Sequence, residues 1–529
     1  MQAAWESRLA RAAKWPAGLV FAALLAGCAL PPLEPRSRSQ ALPAAEASAT
    51  TLGRAADGAA AAHPGLTGIH ALADAHEAFA ARMQLAQHAE RTLDVQYYIW
   101  RGDTTGHLLL EALHAAADRG VRVRLLLDDN GIAGLDEELS VLDAHPNIEV
   151  RLFNPFVFRS FKPLGFLTDF SRLNRRMHNK SFTADNAVTI VGGRNVGDEY
   201  FGATDGVLFS DLDVVATGAV VAPVSQSFDD FWASASSYPI AALVPPPTEA
   251  AVAAVQAREA LIDRSERAAV YKQSVRDLLP PGTALGNRLP LVWAPAHLLV
   301  DPPSKALGQA EPEQLMLAHM TEAIGVPKRS VDLVSPYFVP TDAGTDYFVA
   351  LAQRGVQVRI LTNSLAATDV AAVHSGYARH RQRLLAAGVV LYERKPDPAP
   401  PKAERSDDGF RVSGSSGSSG SSLHAKTFGV DGERAFVGSF NFDPRSARLN
   451  TELGLIIDSP ALARELVEVF DRRIPMNSWQ LRLAPATGAL LWVDQASDPP
   501  QVLATEPLTS WGQRATVWFL ELLPIESLL

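Results

Sequence analysis

The most constraining feature of the sequence is a pair of near-identical segments whose first residues lie 246 positions apart. The segments are His178-Asn-Lys180-Ser-Phe-Thr-Ala-Asp185 and His424-Ala-Lys426-Thr-Phe-Gly-Val-Asp431, followed at equal distance by Asn195 and Asn441. His, Lys, Asp, Gly and Asn therefore recur at identical spacing over eighteen positions. Chance does not produce such a match, so the chain is predicted to contain two copies of one folding unit.

A longer-range duplication accompanies these motifs and predicts the fold class. In each half a strand-like apolar run precedes a helix-like stretch, an Arg-Gly turn and a second strand-like run. Glycine is favoured where a helix ends, and the β-branched residues after it favour a strand. Such βαβ units build parallel strands covered by helices, which predicts an α/β fold with two similar domains. The segments are 93–100, 106–118 and 119–127 in the first half and 331–339, 343–353 and 354–362 in the second.

The residue types of the motif indicate phosphodiester chemistry. If His-x-Lys lies on a strand, its imidazole and ammonium point the same way, because strand side chains alternate. Two such strands would surround one volume with two imidazoles, two ammonium groups and two asparagine amides. Lysines and amides can stabilise phosphoryl oxygens, while one histidine attacks phosphorus and the other transfers a proton. We therefore predict no metal or other cofactor, with His178, Lys180, His424 and Lys426 catalytic and Asn195 and Asn441 binding the phosphate.

The two motif aspartates have two interpretations. As members of the duplicated motif, Asp185 and Asp431 belong to the predicted catalytic set. Each also opens an Asp-Asn or Asp-Gly dipeptide, which is a signal for a tight hairpin turn and would make the aspartates largely structural.

The motifs with their Gly-x-Asn tails resemble the phospholipase D superfamily from about Ile69 to the C-terminus. The segments 94–100, 172–202, 362–381 and 437–458 are similar to bacterial cardiolipin synthase C-type proteins. The resemblance implies two similar domains, each a mixed sheet flanked by helices, that meet at a pseudo-two-fold axis with the motifs at the seam. It also implies that His178 is the nucleophile and His424 the acid/base.

A catalytic imidazole needs a partner for its second nitrogen. Glu452 follows His424 by 28 residues, where the superfamily places such a carboxylate. The first half has Gly206 at the equivalent offset, so its orienting group is left open between Glu199, Asp211 and Asp213.

The N-terminus predicts export and membrane anchoring. Basic residues precede the apolar run 17–26, which is typical of a secretory signal and too short to span a bilayer. The ending Leu25-Ala-Gly-Cys28 resembles the bacterial lipobox, which implies lipidation of Cys28, the only cysteine. An uncleaved signal anchor is the alternative. Because Ala29 rather than Asp follows, we expect a periplasm-facing lipoprotein of a Gram-negative-type bacterium, in the outer rather than the inner membrane.

The chain of 529 residues is long enough for two domains with tails. A loop rich in phenylalanine and basic residues, 153–180, suits a membrane interface or stacking on single-stranded nucleic acid. The apolar end, 511–529, is expected to lie on a membrane or cover a core edge.

The predicted parts are a signal peptide, 1–28; a flexible tether, 29–67; a first domain, 68–245; a connecting segment, 246–290; a second domain, 291–490, with a flexible loop, 396–422; and an apolar extension, 491–529.

The resemblance favours transfer of a phosphatidyl group through a phosphohistidine to another phospholipid, which yields cardiolipin. Phosphatidylglycerol, phosphatidylethanolamine or cardiolipin are the expected lipid partners at a membrane, and one chain is expected to suffice for the site. Phospholipid hydrolysis is the same chemistry with water as acceptor. An exported nuclease is the alternative from another class; the formal net charge of −10 disfavours it, as it disfavours nucleic acid as a partner. A lipid-binding scaffold without turnover is disfavoured by two intact motifs.

Overall fold

The computed structural model describes residues 30–34, 36–202, 211–278, 290–396 and 423–529, which form two large mixed β-sheets flanked by helices. Within these residues the order of the first sheet is β8-β4-β3-β2-β5-β6-β7-β1-β9. Its strands are β1 (Thr67–Leu72), β2 (Thr92–Tyr97), β3 (Arg122–Asp128), β4 (Ile148–Phe153), β5 (Ser181–Ala184), β6 (Val188–Gly192), β7 (Asp213–Gly218), β8 (Ser237–Pro239) and β9 (Val292–Ala294).

The second sheet has the order β10-β16-β15-β14-β11-β12-β13-β17-β18-β19. Its strands are β10 (Ala296–Val300), β11 (Ser330–Val334), β12 (Gln357–Asn363), β13 (Val390–Arg394), β14 (Thr427–Val430), β15 (Arg434–Gly438), β16 (Leu453–Ile457), β17 (Ser478–Leu483), β18 (Leu490–Asp494) and β19 (Gln501–Leu503).

The sheets repeat one arrangement, which confirms the two similar α/β domains predicted from the duplication. In the first, β2, β3 and β4 are parallel, and β5, β6, β7 and β1 continue the sheet in antiparallel order. In the second, β11, β12 and β13 are parallel, and β14, β15, β16 and β10 continue it likewise. In each half the His-x-Lys part of the motif directly precedes the first strand of the antiparallel hairpin, and the motif aspartate lies in the hairpin turn.

Helices cover both sheets. Those of the first half are α1 (Ala44–Ala47), α2 (Thr51–Ala60), α3 (Ala75–His88), α4 (Thr104–Asp118), α5 (Asp136–Asp143), α6 (Gly165–Thr168), α7 (Phe170–Leu173), α8 (Asp198–Phe201), α9 (Val221–Trp232), α10 (Glu249–Asp263) and α11 (Glu266–Leu278). Those of the second half are α12 (Met316–Ile324), α13 (Thr341–Gln353), α14 (Ala371–Ala378), α15 (Arg381–Ala386), α16 (Pro444–Arg448), α17 (Pro460–Glu468), α18 (Ile474–Asn477) and α19 (Trp511–Glu521).

The βαβ units form for local reasons that recur in both halves. Asp103 caps α4 by accepting the backbone N–H of Gly106, which satisfies a donor at the helix start. After α4 and α13 the chain turns at Gly120 and Gly355, whose φ angles of 92° and 86° lie in the left-handed region that favours glycine. The turn reverses the chain into β3 or β12, as the Arg-Gly signals predict.

The two halves meet along an apolar seam formed by the antiparallel part of each sheet. Val191 and Val214 of the first half share a buried cluster with Val437, Leu455 and Ile457 of the second. The chain crosses the seam between β9, which pairs with β1, and β10, which pairs with β16. The ends of both motif hairpins are thereby fixed against each other.

The predicted tether is not a free linker after Cys28. Residues 36–66 lie against the first domain, and the Arg36 guanidinium donates to the carbonyl oxygens of Ala233 and Ser234 over 2.6 Å. In α2, Leu52 and Ala56 enter the core of that domain. The prediction was wrong because the Ala-rich composition hides an amphipathic helix that has a surface to cover.

Two further domain boundaries are corrected. The predicted connecting segment contains α10 and α11, and α11 places Ala268, Tyr271 and Val275 in the core of the first domain. The predicted apolar extension is partly strand, since β18 and β19 continue the second sheet beyond β17. β9, predicted as part of the second domain, belongs to the first sheet.

The signal peptide and nearly all of the predicted flexible loop, at 397–422, lie outside the described residues. Across the described parts of the chain, every helix is too short or too polar to cross a membrane.

Candidate active site

Both motif histidines lie at the seam, in extended segments that directly precede strands. The prediction placed His-x-Lys within a strand, whereas β5 begins at Ser181 and β14 at Thr427. The segment before β5 pairs with the other half of the molecule instead, because the N–H of His178 donates to the carbonyl oxygen of Thr451 over 2.9 Å. The first histidine is therefore held by backbone from the second half.

Each histidine is oriented by a carboxylate from the opposite half. The Nδ1 atom of His178 lies 2.8 Å from Oε2 of Glu452, and Nδ1 of His424 lies 2.5 Å from Oδ2 of Asp211. A hydrogen bond at Nδ1 fixes the ring and leaves Nε2 for chemistry. This crossed arrangement requires both halves, because each one alone would hold a histidine without its carboxylate.

The spacing from His178 did not identify the first carboxylate, because the two halves differ in the length of the chain between histidine and carboxylate. Asp211 follows His178 by 33 residues, whereas Glu452 follows His424 by 28, because the first half has a longer connection at this point. The strand register shows that Asp211 and Glu452 are equivalent positions. The motif glycine Gly192 pairs with Asp213, and the motif glycine Gly438 pairs with Gly454. Each carboxylate therefore lies two residues before the strand partner of a motif glycine, a relation that only strand pairing makes visible.

The residue after that glycine differs between the halves because the carboxylates differ in size. A Cβ atom on Gly193 would lie 2.2 Å from Oδ1 of Asp211, so only glycine leaves room there. The equivalent Ser439 instead donates its hydroxyl to Oε2 of Glu452 over 2.5 Å. The Gly-Gly and Gly-Ser variants of the motif tail thus fit their own carboxylates.

A buried ion pair holds the backbone of Glu452. This pair was not predicted from the sequence. Lys305 Nζ lies 2.7 Å from Oδ2 of Asp301, and the same oxygen accepts the backbone N–H of Glu452 over 3.0 Å. Lys305 also donates to the carbonyl oxygen of Ser446 over 2.8 Å. These residues follow β10 and carry no duplicated signal, so only the fold brings them to the site.

Two predicted orienting residues do not reach a histidine. Glu199 forms an ion pair with Arg101 over 3.0 Å. Asp213 is buried between Arg82 and Arg194, which occupy its oxygens. These buried arginines belong to the first half of the chain and hold the Asp213 carboxylate away from either histidine.

Both motif aspartates bind backbone N–H groups rather than a histidine, which favours the structural interpretation of the two. Asp185 accepts the backbone N–H groups of Glu90, Arg91 and Thr92, at the start of β2. Asp431 accepts the corresponding N–H groups at the start of β11, from Lys328, Arg329 and Ser330. Both adopt positive φ angles, 52° and 57°, at the tip of their hairpins, as a tight Asp-Asn or Asp-Gly turn requires.

The motif lysines and asparagines are all buried. Lys180 Nζ donates to the carbonyl oxygen of His178 over 2.5 Å, and Lys426 bonds that of His424 in the same way. Asn195 accepts the N–H of Ile99 with its side-chain oxygen over 3.2 Å, and Asn441 is also buried. Both lysines keep further N–H groups for an anion.

Tyrosine rings pack against both histidines. The Tyr98 ring lies edge-on to His178 with centroids 5.0 Å apart, and Tyr200 lies against His424 at 5.1 Å. Tyr337, which is hydrogen-bonded to Asp369 over 2.9 Å, completes the aromatic wall. These contacts limit how far either imidazole can turn.

Burial and like charge lower the pKa of both histidines in the free enzyme. Burial lowers the pKa of His178 well below its usual value, and the ammonium groups of Lys180 and Lys426 lower it further. Burial also lowers the pKa of His424, to about 4. A neutral imidazole with an oriented Nε2 is a competent nucleophile.

The partners of the histidines titrate differently. Burial raises the pKa of Glu452 to about 7. Burial acts in the same direction on Asp211, but the charge of His424 and the hydrogen bond between them hold the pKa of Asp211 below its usual value. Burial lowers the pKa of Lys426 to about 8. Asp211 therefore remains charged where Glu452 is partly protonated.

The sequence matches the protein-family model described as "Cardiolipin synthase, PLD-like domain" over residues 83–232 and again over residues 320–474. Together the two matches cover more than half of the chain, and each contains one motif with its hairpin. The chain belongs to this phospholipase D-like family. It is an enzyme of the phosphatidyltransferase type, as the resemblance implies.

Individual relatives agree with the family model. Cardiolipin synthase C of Escherichia coli is 48% identical over 472 residues, which are 88% of this chain and 97% of that protein. An uncharacterised protein of Helicobacter pylori strain J99 is 32% identical over 416 residues, 78% of this chain and 80% of its own.

Among solved structures, phosphatidylserine synthase of Haemophilus influenzae covers 90% of this chain and 100% of its own, with a TM-score of 0.55 and 15% identity. At that identity the likeness concerns the fold alone.

Proposed function

We propose that the protein forms cardiolipin by transferring a phosphatidyl group between phospholipids through a covalent intermediate on His178. The observation that carries the proposal is the crossed pairing of His178 with Glu452 and His424 with Asp211, which joins two reactive imidazoles in one site. Phosphatidylglycerol is the proposed acceptor through a hydroxyl of its headgroup, and a second phosphatidylglycerol or a phosphatidylethanolamine is the proposed donor. One chain supplies every group the reaction uses, and no metal or other cofactor takes part.

The first step transfers the phosphatidyl group to the enzyme. Nε2 of His178 attacks phosphorus, a phosphorus–nitrogen bond forms, and the bond from phosphorus to the headgroup oxygen breaks. His424, as an imidazolium stabilised by Asp211, gives its Nε2 proton to that oxygen and becomes neutral, so glycerol leaves when phosphatidylglycerol is the donor. The lysine ammonium groups and asparagine amides stabilise the negative phosphoryl oxygens as charge builds.

The second step releases the product. His424, now neutral, removes the proton from the acceptor hydroxyl, whose oxygen attacks phosphorus while the bond to His178 breaks. With the headgroup hydroxyl of phosphatidylglycerol as acceptor the product is cardiolipin, and with water it is phosphatidic acid. The choice between synthesis and hydrolysis therefore depends on which hydroxyl reaches the intermediate.

The two carboxylates support this division of roles. A general acid must be protonated in the transition state, and the ionised Asp211 stabilises the imidazolium form of His424. Glu452, whose pKa is raised to about 7, stabilises a charge on His178 less strongly. His178 is thereby suited to attack as a neutral ring and His424 to carry the proton.

We also propose that the mature chain is a lipoprotein anchored through Cys28 on the periplasmic side of the outer membrane. At the N-terminus basic residues are followed by an apolar run and then by Leu-Ala-Gly-Cys, and this order supports the location. The Cys28→Ser chain should fail to incorporate labelled palmitate and should leave the membrane fraction. Labelling at wild-type level would contradict the anchor.

The product assay tests the function itself. Purified protein is incubated with labelled phosphatidylglycerol vesicles containing a chelator, with and without phosphatidylethanolamine, and the His178→Ala/His424→Ala chain provides the blank. Cardiolipin formed only by the active protein is the expected result, and a gain on adding phosphatidylethanolamine would identify that lipid as the phosphatidyl donor. Phosphatidic acid alone would mean a hydrolase, and untouched lipid with cleaved single-stranded DNA would mean a nuclease.

The pH dependence of kcat/KM follows from two groups of the free enzyme. Glu452 must be ionised to hold His178, so activity falls as pH drops through about 7. Lys426 must be protonated to bind the phosphodiester, so activity falls as pH rises through about 8. We expect a narrow bell for kcat/KM. The bound anion stabilises the Lys426 charge, so the alkaline limb of kcat should lie at higher pH.

The control is Lys426→Arg, whose guanidinium keeps its charge at every accessible pH. Its residual kcat/KM should lack the alkaline limb near pH 8. A limb that persists unchanged in this variant would show that another group produces it.

A further inference from the structure

Two groups of apolar side chains on the surface of the enzyme have no covering partner among the described residues. The first group, here lobe 1, belongs to the loop between β4 and the first motif. Leu167 is 83% exposed, and its neighbours in lobe 1 are also exposed: Phe161, Leu164 and Phe170. An ordinary protein surface exposes large apolar side chains singly, whereas lobe 1 exposes four of them within ten residues.

Lobe 1 is displayed by a firmly packed loop. Inside the loop Phe156 and Leu173 are buried, and Phe166 lies edge-on to Phe156 with ring centroids 5.4 Å apart. The exposed side chains are therefore presented outward by an ordered support.

The second group, lobe 2, lies on the C-terminal helix α19. Trp511, Trp518 and Leu522 fall on one face of the helix, at spacings of seven and four residues, and Phe519 lies next to them. All four are exposed, Trp511 at 78%. The opposite side of the helix packs on the protein, where Val517 is buried.

Hydrogen bonds hold the end of α19 on the second domain, and they keep its apolar face directed outward. Arg379 donates to the carbonyl oxygen of Leu523 over 2.9 Å, and His380 lies 2.8 Å from Glu526. The apolar end of the chain thus covers no core edge with its tryptophans.

Arg445 bridges the chain segments that directly follow lobe 1 and lobe 2. Its backbone N–H donates to the carbonyl oxygen of Leu529, the last residue, over 2.7 Å. Its guanidinium donates to the side-chain oxygen of Asn174 over 2.6 Å and to the Asn174 carbonyl oxygen over 3.0 Å. Asn174 ends α7, which begins at Phe170.

This bridge borders the active site. Arg445 follows the motif residue Asn441 by four positions, and its charge acts on the Tyr98 hydroxyl. The Tyr98 ring in turn packs against His178. A ligand held by the lobes would therefore lie beside the reacting imidazole.

The charges in this region select the kind of partner. Arg159 pairs with Asp129 and Asp136, and Lys162 also pairs with Asp129. These ion pairs neutralise the cations that a nucleic acid backbone would need. An apolar, aromatic and nearly neutral surface is instead typical of proteins whose rings lie at headgroup depth in a membrane.

We propose that lobes 1 and 2 form one membrane-docking surface that inserts into the outer part of a phospholipid bilayer and sets the active site over the headgroups. The proposal rests on the proposed function for its lipid substrate. Docking lets a headgroup enter the site without the acyl chains leaving the bilayer.

The test measures tryptophan fluorescence of the full chain on phosphatidylglycerol/phosphatidylcholine vesicles with brominated acyl chains, which quench only inserted rings. Wild-type protein should be quenched, and Trp511→Phe/Trp518→Phe should lose most of that quenching. Leu167→Ser/Phe170→Ser should lower the quenching of the lobe 2 tryptophans at least twofold. Leu261→Ser, which removes an exposed leucine on α10, is the matched control and should behave as wild type.

Turnover separates docking from catalysis. Leu167→Ser/Phe170→Ser should lower the turnover of vesicle phosphatidylglycerol about tenfold and leave that of monomeric short-chain phosphatidylglycerol unchanged. Equal quenching in wild type and Trp511→Phe/Trp518→Phe would overturn the proposal, as would a dimer that dissociates in the lobe variants without any quenching by lipid. Quenching that depends on the lobes in a protein that turns over no phospholipid would support docking and refute the proposed function.

Discussion

Turnover of phosphatidylglycerol should fall by about 10⁴-fold or more in His178→Ala and equally in His424→Ala. The first substitution removes the nucleophile, and the second removes the group that protonates the leaving oxygen. Because both act in one site, the double variant should be no slower than the slower single variant. The measurement is the initial rate of cardiolipin formation on vesicles, per folded molecule.

The contrasting variant is Asp431→Ala, from the same motif as His424. It removes a carboxylate that holds the N–H groups before β11 and touches neither imidazole. Its melting temperature should fall while its rate per folded molecule stays within about threefold of wild type, since it contacts no reacting group. Near-normal activity in either histidine variant would contradict the shared site.

The second large effect concerns the crossed carboxylates. Asp211→Asn should lower kcat by about 10³–10⁴-fold, because it removes the charge that stabilises the imidazolium of His424. Glu452→Gln should cost less, about 10²-fold, since the raised pKa of Glu452 already leaves it partly protonated near neutral pH. Steady-state kcat on vesicles measures both.

Asp213→Asn is the matched control for Asp211→Asn, because Asp213 lies two residues away and binds Arg82 and Arg194 instead of a histidine. It should destabilise the fold without removing turnover from the molecules that remain folded. A larger loss of kcat per folded molecule in Asp213→Asn than in Asp211→Asn would refute the assignment of Asp211.

The duplicated sequence predicted the fold and the presence of both histidines at the seam, because a repeat at fixed spacing leaves little freedom in either. Contacts between residues that lie far apart in the chain could not be predicted in this way. Asp211 and Glu452 each contact the histidine of the other half, so an offset counted from the nearest motif leads to the wrong histidine. The ion pair of Lys305 with Asp301 has no motif at all.

Composition misled the prediction in two places for physical reasons. The Ala-rich segment before β1 was predicted to be a tether, but a helix with small residues can still bury a leucine such as Leu52. The basic residues of the loop before the first motif left single-stranded nucleic acid open as a ligand, yet Arg159 and Lys162 are neutralised by acids distant in sequence. Charge pairing across the fold is not visible in local composition.

The most direct test of the shared covalent site is identification of the intermediate. Wild-type protein is mixed with labelled phosphatidylglycerol, quenched in alkali within one turnover to preserve a phosphorus–nitrogen bond, and digested for mass spectrometry. Our account predicts a phosphatidyl group on the peptide that contains His178, and none in His178→Ala. Label on His424, or cardiolipin formed at full rate with no labelled histidine, would contradict it.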